Sequence, residues 1–408
     1  MRKGLAARPV RSILRAIADA AERWRDGDFP PRVRALERVC ARTGYSMPAA
    51  EYALDRLFGA LTAVELEATV ERELGTLDVL DGFAVRGNGP RERALPAGRV
   101  CVISSRTTVG VALFPAIFAL LAKCDVVVKD REDALIAAFF ATLKEELEEF
   151  AGTALAAQWE GAVRERDLAE FDVVVAFGDD ETIASIASTL TPRTRLIPFG
   201  TRASIGYVAR EALATPRQAE ETAGGAARDL VLYETEGCLS LHALFVEVGG
   251  TVTPDAFAEV LARAVERANV EFPVAERSPQ TVASVAAARD LSAFRAAQGR
   301  GGTHSDTTAT FLVDATATLD EPPSFLPRAI GVRAVSRPAD VVAYCTAHRL
   351  PVEAVAVAGA RDDITAMAVA TGASRIARFG ELQSPVAAGR HGGRPRIAEF
   401  VRWIDDER

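Results

Sequence analysis

The sequence predicts an α/β protein: a doubly wound, mainly parallel sheet followed by a second α/β unit. Three observations carry this expectation. The segments RVCVISS, VGVALFPAIFALLAK and DVVVKD follow one another with short links, and strand, helix, strand in that order forms a βαβ unit with parallel strands and a right-handed crossover. The same alternation continues to residue 208 and resumes at 242. A chain of 408 residues, 49% hydrophobic and 25% charged, has the material for two or three packed domains and not the composition of a disordered one.

Residues 5 to about 73 read as helices, with apolar positions recurring at three and four (Leu54, Leu57, Phe58, Leu61, Val64) and a break from Gly44 to Pro48. Residues 78–95 alternate as a hairpin about the turn GNGP. Beyond the βαβ unit the pattern gives a helix at 134–149, a strand at 172–177, a helix at 180–189 and strands at 194–198 and 204–208. The first α/β domain thus fills 96–232. The second unit reads as a strand at 242–248, a helix at 254–268, a polar helical stretch at 280–298 and strands at 309–313 and 330–335. A helix at 338–347, a strand at 353–357 and a helix at 361–370 complete it. RGGTHSDTTAT is a loop, residues 380–395 are rich in Gly and Pro, and IAEFVRWI ends the chain as an edge strand or a helix.

A formal charge of −8 offers no overall positive field for phosphates, so nucleic acid is not an expected partner. No run approaches the roughly 20 apolar residues of a membrane-spanning helix. The basic, amphipathic start MRKGLAARPVRSILRAIADAAERW acquires Asp19 and Glu22 at once and is expected to be a surface helix rather than a transit peptide. Five cysteines, at 40, 101, 124, 238 and 345, are odd in number and lack any C-x-x-C pair or His cluster. They suggest a reduced cytoplasm and no metal site. Only four lysines accompany 44 arginines, so a lysine within a motif carries some information.

Cys238 follows a glycine in the polar turn YETEGCLSLH, at the junction of the two expected domains, where substrate sites commonly form. Cys101 and Cys124 sit in or beside apolar strands. A free cysteine is usually a small core residue, and on local grounds Cys238 stands evenly between that role and a nucleophile's.

VVVKD, FDVVVAFGDDETI, IPFGTRASIG, GCLSLH and FGELQSP occur in that order between Gly82 and Pro385. Together they resemble the aldehyde dehydrogenase superfamily, most closely its acyl-CoA reductase branch, which includes the fatty acid reductase of bacterial luminescence. The resemblance implies an aldehyde dehydrogenase-like fold: an N-terminal helical segment (1–75), an NAD(P)-binding Rossmann-type domain with a bridging hairpin (76–235), a catalytic thiol domain (236–375) and a tail (376–408). It makes Cys238 the nucleophile and Lys129 and Glu132 the residues at the adenosine ribose. Gly178, Glu181 and Gly200 line the cofactor site in the same reading. A strand-end cation and a well-capped acidic helix start are the plainer readings of Lys129 and of DDET.

Three positions depart from the superfamily. Arg106 occupies the place of the oxyanion asparagine, Pro198 that of the glutamate that activates water, and Pro323 that of the glutamate at the nicotinamide ribose, with Glu321 close but out of register. Without the water-activating base, a thioester on Cys238 is suited to reduction rather than hydrolysis. The resemblance therefore implies NAD(P)H-dependent reduction of a fatty acyl-CoA, or another acyl thioester, to the aldehyde through an S-acyl cysteine. Cys238 and Arg106 are its catalytic residues. Two alternatives stay open: an aldehyde dehydrogenase running towards the acid, and a catalytically silent subunit that binds an acyl-transfer partner. NADPH is the expected cofactor with NADH open, because Glu132 repels a 2'-phosphate while Arg131 attracts one. The protein is expected to be cytoplasmic and homodimeric. His242 near the thiol, and His391 in GRHGGRPR, are further candidates beside their plainer structural readings.

Overall fold

The computed structural model describes residues 4–105, 108–130, 134–158 and 168–408. The chain divides into two units, one of Met1–Thr43, Ala50–Thr201 and Val386–Arg408, the other of Gly44–Ala49 and Arg202–Pro385.

Four helices open the chain: α1 (Val10–Arg25), α2 (Pro30–Thr43), α3 (Met47–Gly59) and α4 (Ala63–Leu74). Ile13, Ile17, Ala20 and Trp24 fall on one face of α1 at helical spacing and are wholly buried. Thr62 caps α4 by accepting from the Glu65 N–H, and Gly75, at φ 81°, ends it. Strands β1 (Ala84–Val85) and β2 (Arg91–Pro96) form the expected hairpin.

There follow β3 (Arg99–Ile103), α5 (Leu113–Leu121), β4 (Asp125–Lys129), α6 (Leu135–Glu146), a short α7 (Phe150–Thr153), β5 (Ala154–Ala157), β6 (Val173–Phe177), α8 (Asp180–Thr189) and β7 (Arg195–Phe199). Five strands pair in parallel in the order β5-β4-β3-β6-β7. A parallel sheet covered on both faces needs apolar residues at successive positions, and VVVAF of β6 is buried throughout. Strand order reverses between β3 and β6, and the carboxyl ends at such a switch point are where α/β sheets bind ligands. Trp24 packs on Phe58 and Phe139, with ring centroids 4.8 and 5.8 Å away, and donates to the Thr142 hydroxyl over 2.9 Å. This packs α1 against α6.

The second unit holds β8 (Ala203–Val208), α9 (Pro216–Val231), β9 (Leu241–Glu247), α10 (Pro254–Glu271), α11 (Pro279–Ala297), β10 (Thr303–His304), β11 (Leu312–Asp314), β12 (Ala329–Val335), α12 (Pro338–Ala347), β13 (Val352–Ala358), α13 (Asp362–Ala370) and β14 (Arg375–Arg378). Its seven-stranded sheet runs β10-β11-β12-β9-β8-β13-β14, with only the β10–β11 pair antiparallel. The strand expected to close the first sheet, 204–208, instead lies inside this one, between β9 and β13. Thr215, Thr253 and Ser278 cap α9, α10 and α11 through their side chains, each followed by proline in the first turn. The last strand, β15 (Val401–Asp406), returns to the first unit and pairs antiparallel with β2. Among the described residues no helix is long and apolar enough to cross a membrane.

Candidate active site

Cys238 lies in the turn just before β9, at the amino ends of the central strands of the second sheet. Ser204, at the start of β8, donates its hydroxyl to the Cys238 carbonyl over 2.8 Å. Glu353, near the start of β13, is buried and receives the Ser374 hydroxyl at 2.8 Å, with the Arg202 guanidinium 3.5 Å away. Burial pushes the Cys238 thiol up to about 12, Glu353 adds to the rise, and Arg202 with the backbone N–H groups of Cys238 and Leu239 opposes it. At neutral pH the sulfur therefore carries its proton.

The other cysteines have different surroundings. Cys101, Cys124 and Cys345 are buried, and Cys101 belongs to the apolar layer formed with Val174 and Ala176. Cys40 lies within α2. Cys40 and Cys238 are partly exposed, and of the five Cys238 alone lies in a turn.

The backbone leading into that turn is strained. Tyr233, Glu234 and Thr235 take successive left-handed conformations, at φ 56°, 51° and 61°, which cost roughly 1–2 kcal/mol for each residue with a side chain. Buried bonds hold them. Glu234, 5% exposed, pairs with Arg328 and, over 2.8 Å, with Arg277, and accepts the Ala275 N–H at 3.1 Å. Thr235 donates to the Leu230 carbonyl over 2.8 Å and accepts the Arg328 N–H at 3.0 Å. Arg328 also donates to the Asn269 side chain and the Phe272 carbonyl. Sequence reasoning missed this clamp; its one signal is Glu234, an acid within the apolar run LVLYET.

The FGELQSP segment supports the turn from its other side. Asp229 of α9, wholly buried, accepts the N–H groups of Gly380 at 2.7 Å and Leu382 at 3.0 Å. Gln383 donates to the Ser240 hydroxyl over 3.0 Å, and the Ser240 N–H closes the cysteine turn on the Gly237 carbonyl at 2.9 Å. A Cβ on Gly225 would lie 2.6 Å from the Phe379 backbone, so α9 requires glycine to approach this segment.

His242 is 2% exposed, with its ring 4.8 Å from that of Phe325, and burial lowers its pKa to about 4. It is neutral at pH 7 and supplies no imidazolium for the thiol. Glu321 is held by Arg295 through two contacts of 2.9 Å.

In the first unit Lys129 ends β4 with 7% exposure, and the wholly buried Ser104 follows β3, its N–H donating to the Lys129 carbonyl at 3.3 Å. A cation and a hydroxyl thus stand at the carboxyl ends of adjacent strands, the end at which open α/β sheets bind ligands. Gly178 lies at the end of β6, where a Cβ would come within 3.0 Å of Thr182, and a Cβ on Gly200 would meet the Asp180 carboxylate at 2.4 Å. The start of α8 fits a pyrophosphate poorly. Asp179 caps the Thr182 N–H at 2.7 Å, Asp180 accepts from the Thr201 N–H at 2.9 Å, and Glu181 adds a third exposed acid. These carboxylates already complement the helix dipole. Arg106, Arg131 and Glu132 lie outside the described residues. His391 stacks on Phe199 at 4.3 Å and Phe177 at 5.6 Å, with Phe177 and Phe199 stacked at 4.8 Å. The tail histidine thus caps an aromatic column beside Pro198.

Comparison with solved structures places this architecture among aldehyde dehydrogenase folds. An oxidoreductase from Marinobacter aquaeolei is 16% identical, with 97% of this chain and 84% of that one covered and a TM-score of 0.71. The NAD-dependent benzaldehyde dehydrogenase from Corynebacterium glutamicum is also 16% identical, covering 99% and 87% at 0.70. GapN from Methanocaldococcus jannaschii, a glyceraldehyde-3-phosphate dehydrogenase complexed with NADP, is 12% identical over 98% and 90%, again at 0.70. No curated protein matches by sequence. The acyl-CoA reductase (LuxC) family matches residues 5–403, and the chain belongs to that family of oxidoreductases.

Proposed function

We propose that the protein reduces a fatty acyl-CoA to the aldehyde, with Cys238 as the covalent nucleophile. The observation that carries this is the setting of Cys238: a partly exposed residue in a clamped turn, at the amino ends of β8 and β9, whose thiolate is favoured by Arg202 and by the N–H groups of Cys238 and Leu239 against the burial of its sulfur. Loss of the thiol proton lets sulfur attack the thioester carbonyl. The new carbon–sulfur bond forms, the bond to coenzyme A breaks, and the departing thiolate takes up a proton. The N–H groups of Cys238 and Leu239 are the donors assigned to the tetrahedral oxyanion. A nicotinamide cofactor, when bound, supplies hydride to the carbonyl carbon. Lys129, Gly178 and Gly200 are the described residues assigned to hold it, with NADPH the favoured form. Collapse of the thiohemiacetal breaks the carbon–sulfur bond, releases aldehyde and returns the Cys238 thiolate.

Proline at 198 has no group to activate water, which favours reduction of the acyl-enzyme over its hydrolysis. Intact-mass measurement after mixing with acyl-CoA, without cofactor, tests the reading. The natural protein gains one acyl group and Cys238→Ala gains none. Equal acylation of the two removes the assignment.

A further inference from the structure

A cavity of about 230 Å³ opens between α2 and α6 in the first unit. Arg34, Arg38, Pro31 and Ala35 of α2 form one wall, and Ala138, Ala141 and Thr142 are on the other. Arg34 and Arg38 are one helical turn apart and share this face. Both are exposed, and among the described residues neither side chain makes an ion pair or hydrogen bond. Neighbouring arginines differ: Arg32 is buried against Asp55 and the Trp24 carbonyl, and Arg23 is held by Glu145 and Glu146. Among the described residues lining the cavity the one acid is Glu145, which pairs with Arg23 at 2.8 Å.

The cavity reaches Ala134, which precedes α6 at φ 79° and gives no side-chain cap; the first turn of that helix holds no acid. This contrasts with the acidic start of α8. Five residues before Ala134 stands Lys129, at the carboxyl end of β4. Two guanidiniums without a partner among the described residues and an alanine-floored space beside the start of α6 make a candidate anion site of a size suited to one phosphorylated sugar. Guanidinium groups match a phosphate's oxygens bidentately.

We infer that Arg34 and Arg38 bind the phosphomonoester on the ribose of an adenine nucleotide. The inference rests on the proposed function, in which two reactants carry that chemistry: NADPH at its 2'-position and acyl-CoA at its 3'-position. Both arginines are exposed, so replacing them leaves the core untouched.

Calorimetric binding of adenosine 2',5'-bisphosphate, adenosine 3',5'-bisphosphate and adenosine 5'-monophosphate tests it, in the natural protein and in Arg34→Ala/Arg38→Ala. The double variant is expected to bind at least one bisphosphate tenfold or more weakly and the monophosphate unchanged. Loss confined to the 2',5'-compound assigns the site to the cofactor, and loss confined to the 3',5'-compound assigns it to the thioester carrier. Equal loss of both makes it a general ribose-phosphate site. Unchanged affinities in the double variant overturn the inference, as does failure of the natural protein to bind either bisphosphate. Acylation of Cys238, measured separately by mass, shows whether the proposed function survives that result.

Discussion

Glu234 and Arg328 form an ion pair whose side chains are only 6% and 1% exposed. It lies four residues before Cys238 and holds a backbone that otherwise relaxes. Burial lowers the Arg328 pKa, and Glu234 opposes that shift without cancelling it. Removing the carboxylate leaves two buried guanidiniums, Arg277 and Arg328, without their shared counter-ion. Glu234→Gln should therefore cost about 3–5 kcal/mol, read as a lower denaturant midpoint. Because the left-handed turn loses its anchor, acylation of Cys238 should also slow in protein that remains folded. A variant with unchanged midpoint and acylation rate would show that the clamp does not set the turn.

The fold was largely legible because its strands are short apolar runs between helices with marked starts: Thr-Pro and Ser-Pro open α9, α10 and α11. What escaped has local causes. Helix α9 carries Gly224 and Gly225, poor helix formers, and at 225 the Phe379 backbone comes too close for a side chain. Strand β5 is ALAA, with little β-propensity, and acquires its form from pairing with β4. Of the candidate residues, Cys238 and Lys129 could be singled out from their neighbours in sequence. Arg277, Arg328 and Glu353 could not, since they meet Glu234 and Arg202 only through the sheet's topology.

The lack of a water-activating acid at Pro198 predicts a direction. Cofactor oxidation with acyl-CoA should far exceed aldehyde-dependent release of free acid, measured by product analysis under matched conditions. Pro198→Glu need not create hydrolysis, since the column of Phe177, Phe199 and His391 beside it is already packed. Rapid acid formation by the natural protein would favour the oxidative reading.

Asp229 predicts a pH dependence of stability. Burial raises its pKa to about 7, against the pull of the Gly380 and Leu382 N–H groups. Between about 4 and 7 the folded chain holds a proton that the unfolded chain has released, so this group makes stability fall as pH rises through that window. The whole contribution is on the order of 4 kcal/mol at most. Asp229→Asn titrates nowhere in the range. Denaturant unfolding at pH 5, 6 and 7 should show a flatter slope in the variant, although its amide satisfies the two N–H groups less well and lowers stability at pH 5. Parallel slopes would mean that Asp229 is charged throughout.

The Cys238 thiol offers the most direct test of the site's electrostatics. With a pKa of about 12, it is thiolate in only about one molecule in 10,000 at pH 8, and alkylation follows the thiolate. Iodoacetamide should therefore label Cys238 slowly, with a rate still climbing beyond pH 10. The two charged neighbours act in opposite senses. Glu353→Gln removes a negative charge that disfavours the thiolate while keeping an oxygen for the Ser374 hydroxyl, so labelling at fixed pH should quicken. Arg202→Gln removes the opposing positive charge and should slow it; Arg202 is partly exposed, so its effect should be the smaller and should shrink with added salt. His242→Asn should leave the profile without a step near pH 6.5, because that ring is already neutral. Identical labelling in the Glu353 and Arg202 variants would separate the pair from the thiol. A plateau near pH 7 in the natural protein would show instead that Cys238 rests as the thiolate.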